Sequence, residues 1–113
     1  MIQTPLKIFI ATVALLATGC LNMPTKSGEI GPAHVSTVVY TKLNCDELAA
    51  ELASLTRREA ALTVAQDQRV KTSQVQAFWW GFGQGDSIEA AELAIVRGEI
   101  EAVRRQIDVQ NCK

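Results

Sequence analysis

Apolar side chains recur at helical spacing along one face of the chain that follows Asn44. Four leucines define this face: Leu48, Leu52, Leu55 and Leu62. Asn44 is followed three residues later by Glu47, the spacing of a capping box that satisfies free amide groups at a helix start. The pattern predicts a helix over about residues 45–71, ending where the sequence KTSQ lowers helix propensity.

A second apolar stripe has heptad spacing of three and four residues. Its members are Leu93, Val96, Ile100, Val103 and Ile107. Asp86 or Ser87 can cap the helix start, and Glu89 completes a capping box with Asp86. A second helix is therefore predicted over about residues 86–110. Gly98 interrupts it at a cost of about 1 kcal/mol relative to alanine, which indicates either a close helix contact or a tolerated surface position.

Neither helix can bury its own apolar stripe, so the two helices are predicted to pack against each other over residues 44–113. The predicted fold class is all-α, an antiparallel, coiled-coil-like two-helix hairpin. Arms of equal length, each about 40 Å at 1.5 Å per residue, bring Cys45 and Cys112 together at the open end.

Four of the six aromatic residues lie close together between the predicted helices. We call this set the aromatic apex: Phe78, Trp79, Trp80 and Phe82. Residues 72–85, with glycines at 81, 83 and 85, are predicted to form the turn of the hairpin. The aromatic rings can cap the hairpin core, enter a membrane interface or bind a protein partner. The sequence leaves all three alternatives open.

Proline, glycine and small polar residues dominate residues 21–33, a composition typical of a flexible linker. Residues 20–43 are therefore predicted to be a flexible tether. Within it, Val35–Thr41 is β-branched and, lacking a second strand, is expected to lie along a helix. His34 has no neighbouring ligand residues and is expected to be exposed to solvent.

The first nineteen residues have the organisation of a secretory signal peptide. The apolar run Ile8–Thr18 is too short to span a membrane, which takes roughly twenty residues. The run ends in LLATGC, and Leu16–Cys20 resembles the lipobox of bacterial lipoproteins, with alanine where leucine is commonest. This resemblance implies acylation, including palmitate, at Cys20. The alternatives are a cleaved signal with a chance cysteine, or a short buried helix.

Charge and the residue after Cys20 bear on the location of the protein. The formal net charge is −1, which gives no electrostatic reason to expect a nucleic-acid or anionic-lipid partner. Leu21 follows Cys20, and the absence of aspartate there resembles outer-membrane sorting in enterobacterial lipoproteins. The expected location is the bacterial cell envelope, lipid-anchored in the outer membrane and facing the periplasm.

The three cysteines fit an exported protein. If Cys20 is acylated, Cys45 and Cys112 remain as an even pair in an oxidising compartment. A disulfide between them would close a large loop and stabilise a fold with little core. The alternative is that Cys112 is a free thiol near a frayed terminus.

The mature chain also resembles a group of small, uncharacterised proteobacterial lipoproteins. The matching stretches are Tyr40–Leu52, Phe78–Gly81 and Ala91–Cys112, read as Y…CDELAAEL, an aromatic and glycine-containing middle, and an ending in NC. The resemblance implies the hairpin and the disulfide. It implies no activity.

No set of residues in the sequence is arranged for catalysis. The expectation is a protein that is not an enzyme, with no cofactor, metal or small-molecule substrate. The expected function is that of a structural or adaptor lipoprotein, binding another envelope protein, or a second copy of itself, through a helical face or the aromatic apex. The alternative is a membrane-active lipoprotein that is anchored at Cys20 and contacts a bilayer with the apex at its other end.

Overall fold

The computed structural model of the chain describes residues 22–113. The predicted signal peptide and Cys20 lie outside these residues. The described part contains two α-helices, α1 (Cys45–Trp80) and α2 (Ile88–Val109), and two short 3-10 helices, Ser27–Glu29 and Thr37–Tyr40. It contains no strand, and the two α-helices pack against each other in antiparallel order. The predicted all-α helical hairpin is confirmed.

The predicted capping box starts α1. The Asn44 side chain accepts a 2.9 Å hydrogen bond from the backbone N–H of Glu47. In return, the Glu47 carboxylate accepts a 2.9 Å hydrogen bond from the backbone N–H of Asn44. Two amide groups that have no partner within the helix are thereby satisfied. The start of α1 is therefore fixed by the residues that the sequence pattern identified.

Both predicted apolar stripes lie in the core. The buried members are Leu48, Leu55, Leu93, Val96, Ile100 and Val103, with Leu52, Leu62 and Ile107 partly buried beside them. Tyr40, from the chain before α1, completes this cluster. The core therefore consists of the two helices and part of the N-terminal chain.

Helix α1 is longer than its apolar pattern predicts. It continues past Lys71 and ends at Trp80, and Gly81 follows in the left-handed conformation with φ of 80°. Weak propensity over KTSQ does not end the helix, because no glycine or proline interrupts it before residue 81. Residues 72–80, predicted as part of the turn, are helical.

The start of α2 also differs from its prediction. Ser87 is the N-cap residue, and its side chain makes no capping hydrogen bond. The predicted capping box between Asp86 and Glu89 is not formed, because the Asp86 carboxylate binds Thr25 instead. The Ser87 hydroxyl donates to Glu89 in its place.

The two arms of the hairpin are unequal. Helix α1 has 36 residues, about 54 Å, whereas α2 has 22 residues, about 33 Å. Residues 81–87 run back alongside the end of α1, where the backbone N–H of Gln84 donates a 3.1 Å hydrogen bond to the Ser73 hydroxyl. The prediction of equal arms is therefore wrong, since an extended loop lies where the first turns of an equally long second helix would be.

Residues 22–43, which we call the N-terminal segment, lie along the hairpin. Their hydrogen bonds reach Asp86 near the start of α2, then Arg97, and finally Gln110 beyond its end. The segment therefore runs from the aromatic apex to the opposite end and then enters α1. This packing replaces the expectation of a flexible tether for residues 22–43, and Val35 and Tyr40 lie against the helices as predicted for that stretch.

Gly98 is the point of closest approach between the N-terminal segment and α2. A Cβ atom at Gly98 would lie 2.0 Å from the carbonyl oxygen of Ala33 and 2.9 Å from the Val35 side chain. Nearby, the Ala33 amide donates a 2.8 Å hydrogen bond to the Ala94 carbonyl. Gly98 therefore marks a close contact, but with the N-terminal segment and not with another helix as the sequence interpretation had it.

The disulfide predicted between Cys45 and Cys112 is present. Its Cα atoms are 5.5 Å apart, and the two residues are separated by 67 positions in the sequence. It joins the start of α1 to the chain just after α2. We call this end of the molecule the disulfide end.

Candidate functional site

The aromatic apex is exposed to solvent. The exposed fractions of its four side chains lie between 62% and 81%. Phe78 and Trp79 contact each other edge to face, with ring centroids 5.3 Å apart. The apex therefore does not cap the hairpin core, and its apolar surface is available to something outside the described chain.

Three of the aromatic residues are consecutive at the end of α1, and this makes the helix apolar on several sides. Successive residues of an α-helix are rotated by about 100°. Trp80 follows the buried Ser73 by seven residues and so continues the face of α1 that the loop covers at Ser73. Trp80 is nevertheless exposed, because α2 begins nearer to the disulfide end and does not reach the last turns of α1. Phe78 and Trp79 lie on the remaining sides, so apolar surface surrounds more than half of the helix end.

The loop after α1 is shaped by glycines that lie against the N-terminal segment. Gly85 has a φ of 68°, and its amide donates a 2.7 Å hydrogen bond to the Asn22 carbonyl. A Cβ atom at Gly83 would lie 2.8 Å from the sulfur of Met23 and 3.1 Å from Ser73. The loop can therefore pack closely between the segment and α1 only because these positions lack side chains.

A group of hydrogen bonds fixes the N-terminal segment next to the apex. The Asp86 carboxylate accepts from the Thr25 amide at 2.6 Å and from the Thr25 hydroxyl at 2.5 Å. Gln66, which is buried on α1, donates to the Thr25 carbonyl at 2.7 Å and to Asp86 at 3.2 Å. Three parts of the chain therefore meet at Asp86.

These bonds also alter the acidity of Asp86. The hydrogen bonds from the Thr25 side chain and amide hold the pKa of the Asp86 carboxyl below its ordinary value of 3.8. Gln66 and nearby Arg69 act in the same direction, although partial desolvation opposes them. The carboxylate form of Asp86 is thus the form that the surrounding donors stabilise.

The apex has no charge of its own. Residues 72–85 contain no Asp, Glu, Lys or Arg. Charged residues begin just below it, where Arg69 and Glu89 form an ion pair with a 3.5 Å separation between α1 and α2. The molecule therefore changes abruptly from a charged surface to an apolar one at this level.

A cleft beside the helices includes Arg97 and Glu59, which already bond each other. Arg97 donates to Glu59 at 2.9 Å and to the Ser27 carbonyl at 2.6 Å, and it also bonds the Ile30 carbonyl. Its guanidinium group holds the N-terminal segment against both helices. We assign this cleft a structural role.

Other predicted features have clear positions. His34 is exposed, as expected. Within residues 22–113, no three His, Cys, Asp or Glu side chains come together as metal ligands. No helix in the same range has the length and hydrophobicity needed to cross a bilayer. Cys20, the predicted lipidation site, lies outside the described residues.

Five residues that join the N-terminal segment to the apex were not predicted in this role from the sequence: Asn22, Met23, Thr25, Gln66 and Asp86. One signal was available, since Gln66 and Ser73 fall on the same helical face as the apolar stripe of α1. Buried polar residues need hydrogen-bond partners, which a two-helix core does not offer. Their presence on this face indicates that a further piece of chain packs there.

When the chain is compared with models of protein families, with curated proteins and with solved structures, nothing matches it.

Proposed function

We propose that the protein is a lipid-anchored structural or adaptor protein of the bacterial cell envelope. The observation that carries this proposal is the combination of the LLATGC motif with the Cys45–Cys112 disulfide. A disulfide persists in an oxidising compartment, to which the signal peptide would direct the chain. With these two cysteines paired, Cys20 is the remaining thiol, and the lipobox-like motif assigns it to acylation.

The shape of the chain supports a role in holding or joining. Its two helices, its N-terminal segment and its disulfide form one elongated body. Helix α1 also presents exposed apolar residues, Val64 and Val75, which are eleven positions apart and so lie on one outer face. This face is the surface that we assign to a protein partner, either another envelope protein or a second copy of the chain.

The anchor is tested by the intact mass of the mature protein from a bacterial host. We expect a chain that starts at Cys20 and carries acyl groups, and we expect Cys20→Ser to lose that mass and its membrane fractionation. A wild-type chain without acyl groups would overturn the proposal.

The adaptor role is tested by photo-crosslinking in intact envelopes. A photoreactive residue is placed at Val64 and, as the matched control, at Val109, which is exposed at the end of α2. We expect a discrete adduct from position 64 and none from position 109. An adduct of twice the chain mass would identify a second copy as the partner, and no adduct from position 64 would contradict the assigned face.

A second candidate function is contact between the aromatic apex and a bilayer. The exposure of all four aromatic side chains specifically favours it.

A further inference from the structure

We infer that the aromatic apex inserts into the same membrane leaflet that holds the lipid anchor, so that the hairpin stands on that membrane with its disulfide end outward. This inference rests on the proposed acylation of Cys20. It differs from the sequence-based alternative, which put the anchor and the apex at opposite ends of the molecule.

The path of the N-terminal segment places the anchor at the apex. Asn22 is bonded to the apex loop through the 2.7 Å contact from the Gly85 amide and a 3.4 Å contact from its own side chain to the Gly83 carbonyl. Cys20 precedes Asn22 by two residues. Two residues of chain reach at most about 7 Å. Acyl groups on Cys20 would therefore enter the bilayer beside the apex, irrespective of the conformation of residues 20 and 21.

The surface at this end has the chemistry of a membrane interface. Trp and Phe are suited to the boundary between headgroups and acyl chains, and Trp adds a polar N–H group. Residues 72–85 bring no charge into that region. Met23, which is partly exposed next to Gly83, adds further apolar surface.

The distribution of the aromatic rings favours a bilayer over a protein groove. A helix that binds a groove presents one apolar face, whereas the end of α1 is apolar on several sides and lipid can surround it. The last two turns of α1 are about 11 Å long. Interfacial insertion reaches about 5–10 Å, so these turns can be immersed while Arg69 and Glu89 remain in water.

Acyl chains alone hold a protein at a bilayer but leave it free to pivot. Contact through Trp79, Trp80 and Phe82 adds a second point of attachment close to the first. The contribution of the apex is therefore orientation, since it sets the long axis of α1 away from the membrane.

The test uses tryptophan fluorescence of the full mature protein in vesicles. The chain contains two tryptophans, both in the apex, so the wild type carries its own probe. The protein is reconstituted into phosphatidylethanolamine and phosphatidylglycerol vesicles with or without brominated phosphatidylcholine, which quenches indoles at membrane depth. We expect the tryptophan emission of the wild type to be blue-shifted in vesicles. We expect most of its intensity to be quenched when the brominated lipid is present.

A matched control moves the probe to the other end. In the background Trp79→Phe/Trp80→Phe, Val39→Trp places an indole at an exposed position near the disulfide end. We expect emission typical of water and no quenching by brominated lipid. Quenching equal to that of the wild type would mean that the hairpin lies flat, which would overturn the upright orientation.

The outcomes separate this inference from the proposed function. Acyl mass together with unquenched wild-type emission would overturn the inference and leave the anchor standing. If the same emission were shielded from aqueous iodide in native envelopes, the apex would instead be bound by a protein. A chain without acyl mass would overturn the proposed function. It would also overturn the inference that the apex and the lipid anchor enter the same leaflet. Helical circular dichroism and an intact disulfide verify that each variant is folded.

Discussion

Gly98 and Ala33 are so close that a single added carbon atom cannot fit between them. A Cβ at Gly98 would lie 2.0 Å from the Ala33 carbonyl oxygen, which belongs to the backbone and cannot move like the end of a flexible side chain. The absence of a side chain at position 98 therefore permits the N-terminal segment to lie on α2.

The first prediction is that Gly98→Ala destabilises the protein. Alanine should favour the helix by about 1 kcal/mol, but the displaced segment is expected to outweigh this gain, with a net loss of about 1–3 kcal/mol. Urea unfolding measures the change. The matched control is Gly31→Ala, because nothing lies within 4 Å of a Cβ at Gly31. Equal stability of Gly98→Ala and the wild type would contradict the close contact.

The second prediction concerns pH and Asp86. Because its pKa is lowered in the folded protein, the stability from this carboxylate is fully present above the ordinary pKa of 3.8 that it has in the unfolded chain. That stability is lost as pH falls through the lower, folded pKa. We expect amide hydrogen exchange at Thr25 to accelerate below about pH 4, relative to the intrinsic exchange rate at each pH.

Asp86→Asn supplies the test of that assignment. The amide side chain does not titrate in this range, so the variant should lose the protection of Thr25 already at neutral pH and show little further change on acidification. Asp108→Asn, a change at an exposed carboxyl on α2, is the control and should behave as the wild type. If amide exchange at Thr25 still depended on pH in Asp86→Asn as it does in the wild type, another titrating group would be responsible for that dependence.

The third prediction is that the disulfide contributes substantially to stability. For a loop of 67 positions, the chain-entropy argument gives about 4 kcal/mol. We expect Cys45→Ser/Cys112→Ser and the reduced wild type to unfold at similarly lowered urea concentrations. If reduction left the urea midpoint unchanged, the disulfide would not stabilise the fold.

The fourth prediction compares two arginines that bridge structural elements. Arg97 bonds Glu59 and two carbonyls of the N-terminal segment, so Arg97→Gln should cost about 1.5–3 kcal/mol. Arg58 faces Glu92 at 3.7 Å with both side chains largely exposed, and Arg58→Gln should cost less than about 1 kcal/mol. Thermal unfolding ranks the two variants, and the reverse order would contradict the role given to Arg97.

Sequence patterns predicted the parts of the fold that depend on local signals or on apolar spacing. The capping box at Asn44, the buried stripe from Leu93 to Val103 and the pairing of Cys45 with Cys112 are of this kind. Each follows from residue types at short or regular spacing. The helical hairpin could therefore be anticipated without any structure.

The remaining features depend on contacts between residues far apart in sequence. Thr25 meets Asp86 across 61 positions, and that contact diverts Asp86 from its predicted role as a helix cap. The N-terminal segment has a linker-like composition, yet it packs because Gly98 leaves space for its backbone. The composition of a segment indicates how the segment behaves in isolation. It does not indicate whether another part of the chain has a surface on which the segment can pack. For the same reason the contact of Asn22 with the loop after α1 was not predicted.

The packed N-terminal segment has a mechanical consequence. A pull on the chain at Asn22 is first borne by the bonds to Gly85 and then by those of Thr25, since they follow one another along the segment. These contacts can separate in sequence while the disulfide keeps the hairpin closed. Once detached, 22 residues can extend to about 70 Å. We therefore expect a load applied at Asn22 to release this length of chain before the two helices separate.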